Sequence, residues 1–287
     1  MQPVHAHTGP AGTPAPAAAP RRRAHAGLYE LGIFALAYLT YFGVRALTEG
    51  HAPEALRNAG RLIDFERDVG LLREHAVQSA FTGSGTLTDI ANNAYIYGHW
   101  PVLIVAGVLL FNLRREHYRV LRNACLISGL VGLLIFALFP VAPPRLTDLP
   151  VVDTVTQGSP GYRQVVPPSL VNQYAAMPSF HAGWNLLVGI VVFRATHNVV
   201  LRAFAVLMPA VMAVAVVATA NHFVVDVVAG VAIVLAALAL ALWLERRRAR
   251  PTLDRDRPTP DIEGPSEPYA VPHRPSSRER PRTPALR

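Results

Sequence analysis

The chain has 287 residues, is 51% hydrophobic and still carries a formal charge of +8. That combination argues against a soluble globule and for a membrane protein with basic flanks and tails. A single cysteine, Cys125, excludes an internal disulfide and a zinc knuckle. The basic residues, all arginine, cluster beside apolar runs, which argues against a nucleic-acid-binding face.

In chain order, residues 1–26 are rich in Ala, Pro and His. They lack the apolar core and cleavage site of a secretory signal, so a disordered tail is expected. A membrane-spanning helix needs about 20 mostly apolar residues. Leu28–Leu47, Ala91–Leu113, Leu121–Phe139, Leu201–Thr219 and Phe223–Leu244 meet that description, and Ala182–Phe193 is a shorter sixth segment. After the first span, Leu62, Phe65, Val69 and Leu72 recur at helical spacing within Arg57–Phe81. That pattern predicts an amphipathic helix lying at the membrane interface. Residues 245–287 alternate Arg, Pro, Asp and Glu with few large apolar groups, again the composition of a disordered tail. The expected fold is therefore all-α: a polytopic bundle of six transmembrane helices over residues 27–244, between tails at 1–26 and 245–287.

Arginine placement gives a second reading of the same count. Arg21–Arg23, Arg114–Arg122, Arg194 with Arg202, and Arg246–Arg250 occupy alternate connections. Six helices place all of them on the cytoplasmic side, as the positive-inside rule requires. An integral plasma-membrane protein with both termini cytoplasmic follows. Three polar clusters then share the extracytoplasmic face: "FPVAPPRL" (Phe139–Leu146), "MPSFH" (Met177–His181) and "TANHFVVD" (Thr219–Asp226).

His222 and Asp226 are four apart, which puts them on one helix face. A carboxylate inside an apolar segment needs a partner. Beside an imidazole it can hold one ring nitrogen protonated and leave the other free to attack. Pro178-Ser179 reads as a helix start with Ser179 as the cap, and the free amides behind such a cap attract phosphate. His181 falls in that first turn, and Arg145 supplies a permanent cation suited to phosphate oxygens. The second span opens with a polar run containing Asn93 and His99, candidates to line a substrate pocket or to bond helix to helix. Together these groups suit phosphoryl transfer through a phosphohistidine, with no metal or other cofactor expected.

"PSFH" (Pro178–His181) and "NHFVVDVVAG" (Asn221–Gly230) together resemble the second and third signature motifs of the type 2 phosphatidic acid phosphatase superfamily. "APPRL" and "NHFVVD" are more similar to the branch that contains fungal inositol phosphorylceramide synthases and actinobacterial relatives. The resemblance covers residues 28–244 and implies a six-helix membrane enzyme with an outward-facing site. It implies His222 as nucleophile, Asp226 as its orienting carboxylate and His181 as the acid that protonates the leaving group. Ser179 and the adjacent backbone would hold phosphate, and Arg145 would match the first-motif arginine. Two cations of the phosphatase branch are missing: there is no lysine before Arg145, and Val216 stands where the third motif has arginine. Arg163, Asn221 and Gln173 are candidates to replace them. The expected partners are the bilayer, a membrane lipid phosphate or phosphodiester as substrate, and water or a lipid or polyol alcohol as acceptor. Inositol-phosphate-type head-group transfer is one form of that reaction. The alternative is a catalytically inactive protein that binds or transports a lipid phosphate.

Overall fold

The structure is a computed structural model that describes residues 20–48, 50–158 and 172–249. Arg163 and most of both expected tails lie outside the described residues. Among those described, the secondary structure is helical: α1 (Pro20–Thr48), α2 (Ala52–Asp68), α3 (Glu74–Thr82), α4 (Gly85–Tyr97) and α5 (Trp100–Leu113) come first. They are followed by α6 (Arg115–Leu138), α7 (Thr154–Gly158), α8 (Phe180–Ala195), α9 (Val199–Ala218) and α10 (Val224–Ala249). Among the described residues, α1 and α10 thus extend into both stretches expected to be tails.

Among the described residues, four helices are long and apolar enough to cross a membrane: Gly27–Ala46, Arg115–Leu138, Val199–Ala218 and Val224–Arg248. This is an integral membrane protein. The expected single span Ala91–Leu113 is instead two helices, α4 and α5, bent by 45°. The break falls at Gly98–His99, just before a proline in the first turn of α5, where its missing N–H costs nothing. Counting the bent pair as one span gives five, and α8 is shorter than the rest. Length and apolarity therefore do not reach the expected six.

The expected amphipathic helix over Arg57–Phe81 is also two pieces. Gly70 has φ +71°, a left-handed conformation that glycine adopts without steric cost, and the chain turns there between α2 and α3. The buried face of α2 is Ala55, Asn58, Ala59, Leu62 and Glu66. Phe65 and Val69 are 49% and 51% exposed. The inward face is therefore rotated from the expected stripe and includes a carboxylate.

The two ends of the bundle differ in chemistry. Arg122 pairs with Glu30 of α1, and the Tyr118 hydroxyl donates to the same glutamate at 2.9 Å. Arg119 pairs with Glu245 of α10 at 3.1 Å, and Arg114 donates to the Ala195 carbonyl at the end of α8 at 3.3 Å. The starts of α1 and α6 and the ends of α8 and α10 thus meet at one arginine-rich end. Leu121, Leu187, Val191, Val234 and Leu238 fill the interior between α6, α8 and α10. At the opposite end, the end of α9 and the starts of α8 and α10 come together.

The approach of α8 to α10 is set by glycine. A Cβ on Gly230 would lie 2.2 Å from the Ser179 carbonyl oxygen, and one on Gly183 would lie 2.8 Å from the Gly230 carbonyl oxygen. Small residues at such crossings let backbones approach closely. Gly230→Ala is expected to destabilise the protein by about 1–3 kcal/mol through overpacking. A lowered Tm in detergent would show it. Gly107→Ala, where a Cβ meets nothing within 4 Å, is expected to leave Tm in place.

Candidate active site

The loop after α6 and the loop before α8 are joined by backbone. Val141 N–H donates to the Tyr174 carbonyl at 2.8 Å, and Ala176 N–H donates to the Val141 carbonyl at 3.2 Å. α2 ties down the same loop. Ala142 N–H donates to the Ala55 carbonyl at 3.1 Å, and Asn58 Nδ2 donates to the Pro140 carbonyl at 2.9 Å. Arg145 N–H reaches the Ala220 carbonyl at 3.0 Å, so all three polar clusters of the sequence meet at this end.

The turn between α9 and α10 presents His222. Ala220 has φ +54°, and the N–H groups of Asn221 and His222 both return to the Val216 carbonyl at 3.1 Å. His222 Nδ1 lies 2.7 Å from the Ala176 carbonyl oxygen. A carbonyl only accepts, so Nδ1 carries the proton and Nε2 is the free nitrogen. Asp226 Oδ2 stands 3.6 Å from the same Nδ1 and accepts the Phe223 N–H at 2.8 Å. The geometry differs from a carboxylate gripping the ring. The Ala176 carbonyl holds the imidazole, while Asp226, fully buried, closes the first turn of α10.

Ser179 caps α8, its hydroxyl accepting the Ala182 N–H at 3.5 Å, and its own N–H donates to the Asp226 carbonyl at 2.9 Å. His181 follows in the first turn, its ring centroid 5.7 Å from that of His222. Tyr95 stacks on His181 at 4.6 Å, and His99 lies 4.4 Å from it. Asn185 donates to the His181 carbonyl at 2.8 Å and contacts His99 Nδ1 at 3.3 Å. The bend between α4 and α5 is what brings His99 to His181. Asn93 is exposed and does not join the cluster. Its neighbour Asn92 is buried and bonds to Thr154 through both amide atoms, at 2.8 and 3.0 Å.

Arg145 is already engaged. Its Nε lies 3.4 Å from Asp153, and its Nη1 donates to Asn221 Oδ1. Asn221 in turn donates to Thr219 Oγ1 at 2.9 Å. Val216, at the position of the missing arginine, is fully buried against apolar neighbours, and Gln173 is exposed. Of the candidate replacements among the described residues, Asn221 is the one beside Arg145.

Two residues escaped the sequence reading. Glu66 and Glu74 are 0% and 1% exposed, and they accept the N–H groups of Val225 at 2.6 Å and Val224 at 2.9 Å. The available signal for Glu66 was its phase with Ala55, Ala59 and Leu62.

The family model described as PAP2 superfamily matches residues 60–240, a stretch that contains every candidate site residue. The chain belongs to the PAP2 superfamily. Among solved structures, the crystal structure of Aquifex aeolicus LpxE is similar, with a TM-score of 0.48 and 16% identity over 59% of this chain and 92% of that one. No curated protein sequence matches the chain. In this PAP2 protein, the contact of His222 with Ala176 has a spectroscopic consequence. Nitrogen-15 NMR of labelled protein is expected to show His222 protonated on Nδ1, and the same in Asp226→Asn. A change of tautomer in that variant would mean that the carboxylate, not the carbonyl, sets it.

Proposed function

We propose that the protein is a membrane phosphatase or phosphotransferase that acts on a lipid phosphate or phosphodiester through a phosphohistidine on His222, without a metal. The observation that carries this reading is the free Nε2 of His222, fixed by the Ala176 carbonyl, with His181 beside it. Nε2 forms the N–P bond as the bond from phosphorus to the leaving oxygen breaks, and His181 gives that oxygen its proton. His181 then takes a proton from water or an alcohol, whose oxygen displaces the Nε2 of His222 from phosphorus. Arg145, Asn221, Ser179 and the first amides of α8 hold the phosphoryl oxygens. Binding phosphate through Arg145 competes with its pairing to Asp153.

The branch resemblance and the cation supply favour a phosphodiester and an alcohol acceptor, as in inositol-phosphate-type transfer. A phosphodiester carries one negative charge, less than a monoester at neutral pH, and here Val216 is apolar and Arg145 is shared with Asp153. In the bilayer, α4–α5 make one bent crossing and α8 a short one, completing six. The arginine-rich end is cytoplasmic with both termini, and the site is at the extracytoplasmic side of the plasma membrane.

Incubation of the purified protein with mixed labelled lipid phosphates and phosphodiesters tests this. Free phosphate identifies a phosphatase, and a new phospholipid identifies a transferase. His222→Ala is expected to abolish turnover, and His181→Ala to slow it roughly 100- to 10,000-fold. Vanadate is expected to inhibit. Wild-type rates in His222→Ala would overturn the reading, and binding without turnover across the panel would identify an inactive lipid-phosphate carrier.

A further inference from the structure

α10 begins immediately after the turn that carries His222. The first amides of a helix have no partner within it, and here the chain supplies carboxylates. Phe223 N–H goes to Asp226, Val224 N–H to Glu74 and Val225 N–H to Glu66, at 2.8, 2.9 and 2.6 Å. Each glutamate uses Oε1 for this bond, and the Oε2 of each is buried without a donor. The two carboxyl groups thus meet at adjacent amides of one turn. Two acceptors facing each other in a dry site repel unless a proton lies between them.

We infer that Glu66 and Glu74 share one proton and act as a positioning pair, holding the start of α10 so that His222 and Asp226 keep their place. One proton makes one carboxyl a donor and leaves the other an acceptor, while both Oε1 atoms stay on the helix amides. The ionisable groups that face Glu66 are Glu74 from α3 and Asp226 from α10, with His222 beyond Asp226. Burial, the bond to Glu74 and these negative charges raise the Glu66 carboxyl to about 8, from 4.5. The folded chain keeps this proton where the unfolded chain has released it. Its stabilising share is therefore complete below about 4.5 and is lost as pH rises through about 8. Above that range, the Glu66 carboxyl has lost the proton at the foot of the helix.

The catalytic part of this inference rests on the proposed function, and its test separates the two. Infrared spectra of the full chain in detergent are recorded from pH 6 to pH 10. The expected result is a protonated-carboxyl C=O band that disappears with a midpoint near 8 and is absent in both Glu66→Gln and Glu74→Gln. Each glutamine keeps one amide acceptor and one donor, so either single variant preserves the clamp. Phosphate release from dioctanoyl phosphatidic acid is followed over the same range. Wild-type kcat is expected to fall as the band disappears. Glu66→Ala is expected to lose kcat more than KM, and Glu66→Gln to restore it and carry activity to higher pH. A wild-type band unchanged in both glutamine variants, or no such band in the wild type, overturns the shared proton. An unchanged alkaline limb in Glu66→Gln overturns its role in positioning. If the wild type releases no phosphate from this lipid, the infrared band and the Tm of Glu66→Ala against Glu66→Gln decide the pair without reference to turnover.

Discussion

The amides of Phe223, Val224 and Val225 open a helix inside an apolar bundle, where water is scarce and an unbonded N–H is costly. Their acceptors come from three places in the chain: Asp226 within α10, Glu74 from α3 and Glu66 from α2. Much of the candidate site follows from satisfying those three donors. α2 and α3 must pack against the foot of α10 to deliver their carboxylates, and α2 then meets the loop after α6 through Asn58 and Ala55. That loop carries Val141, which pairs with the segment holding Ala176, whose carbonyl fixes His222.

The same end of the bundle depends on close backbone contact. Ser179 donates its N–H to the Asp226 carbonyl, and Gly230 leaves room for the Ser179 carbonyl one turn further along α10. This places the capped start of α8 directly against α10, with His181 and His222 5.7 Å apart. Ion pairs at the other end join Glu30 and Glu245 to the arginines of α6. Polar contacts gather at the two ends, and the packing between them is largely apolar, crossed by the hydrogen bond from Trp184 to Ser128.

The sequence reading succeeded where local rules apply. Apolar runs mark the long helices, and Ser179 is legible as a cap. It went astray where one element is defined by another. Ala91–Leu113 reads as a continuous apolar run, yet it bends at Gly98–His99 and so delivers His99 to His181. In Arg57–Phe81 the large apolar residues suggested one face, but Phe65 and Val69 face outward and the smaller Ala55 and Ala59 pack inward. Glu66 shares that inward face because its acceptor atoms are needed by α10, a requirement invisible within α2 itself.

The sequence alone determined that this is a helical membrane protein and which three polar clusters come together. Hydropathy, charge placement and i,i+4 spacing are local properties that survive without knowledge of packing. Tertiary structure decided which partner each group takes. His222 is held by the Ala176 carbonyl more closely than by the carboxylate four residues along. Arg145 is shared between Asp153 and Asn221. Two distant glutamates close the first turn of α10. Hydrogen bonds have strict distances and directions, and a backbone carbonyl has no signature in the residue alphabet, so these choices exist only once the chain has folded.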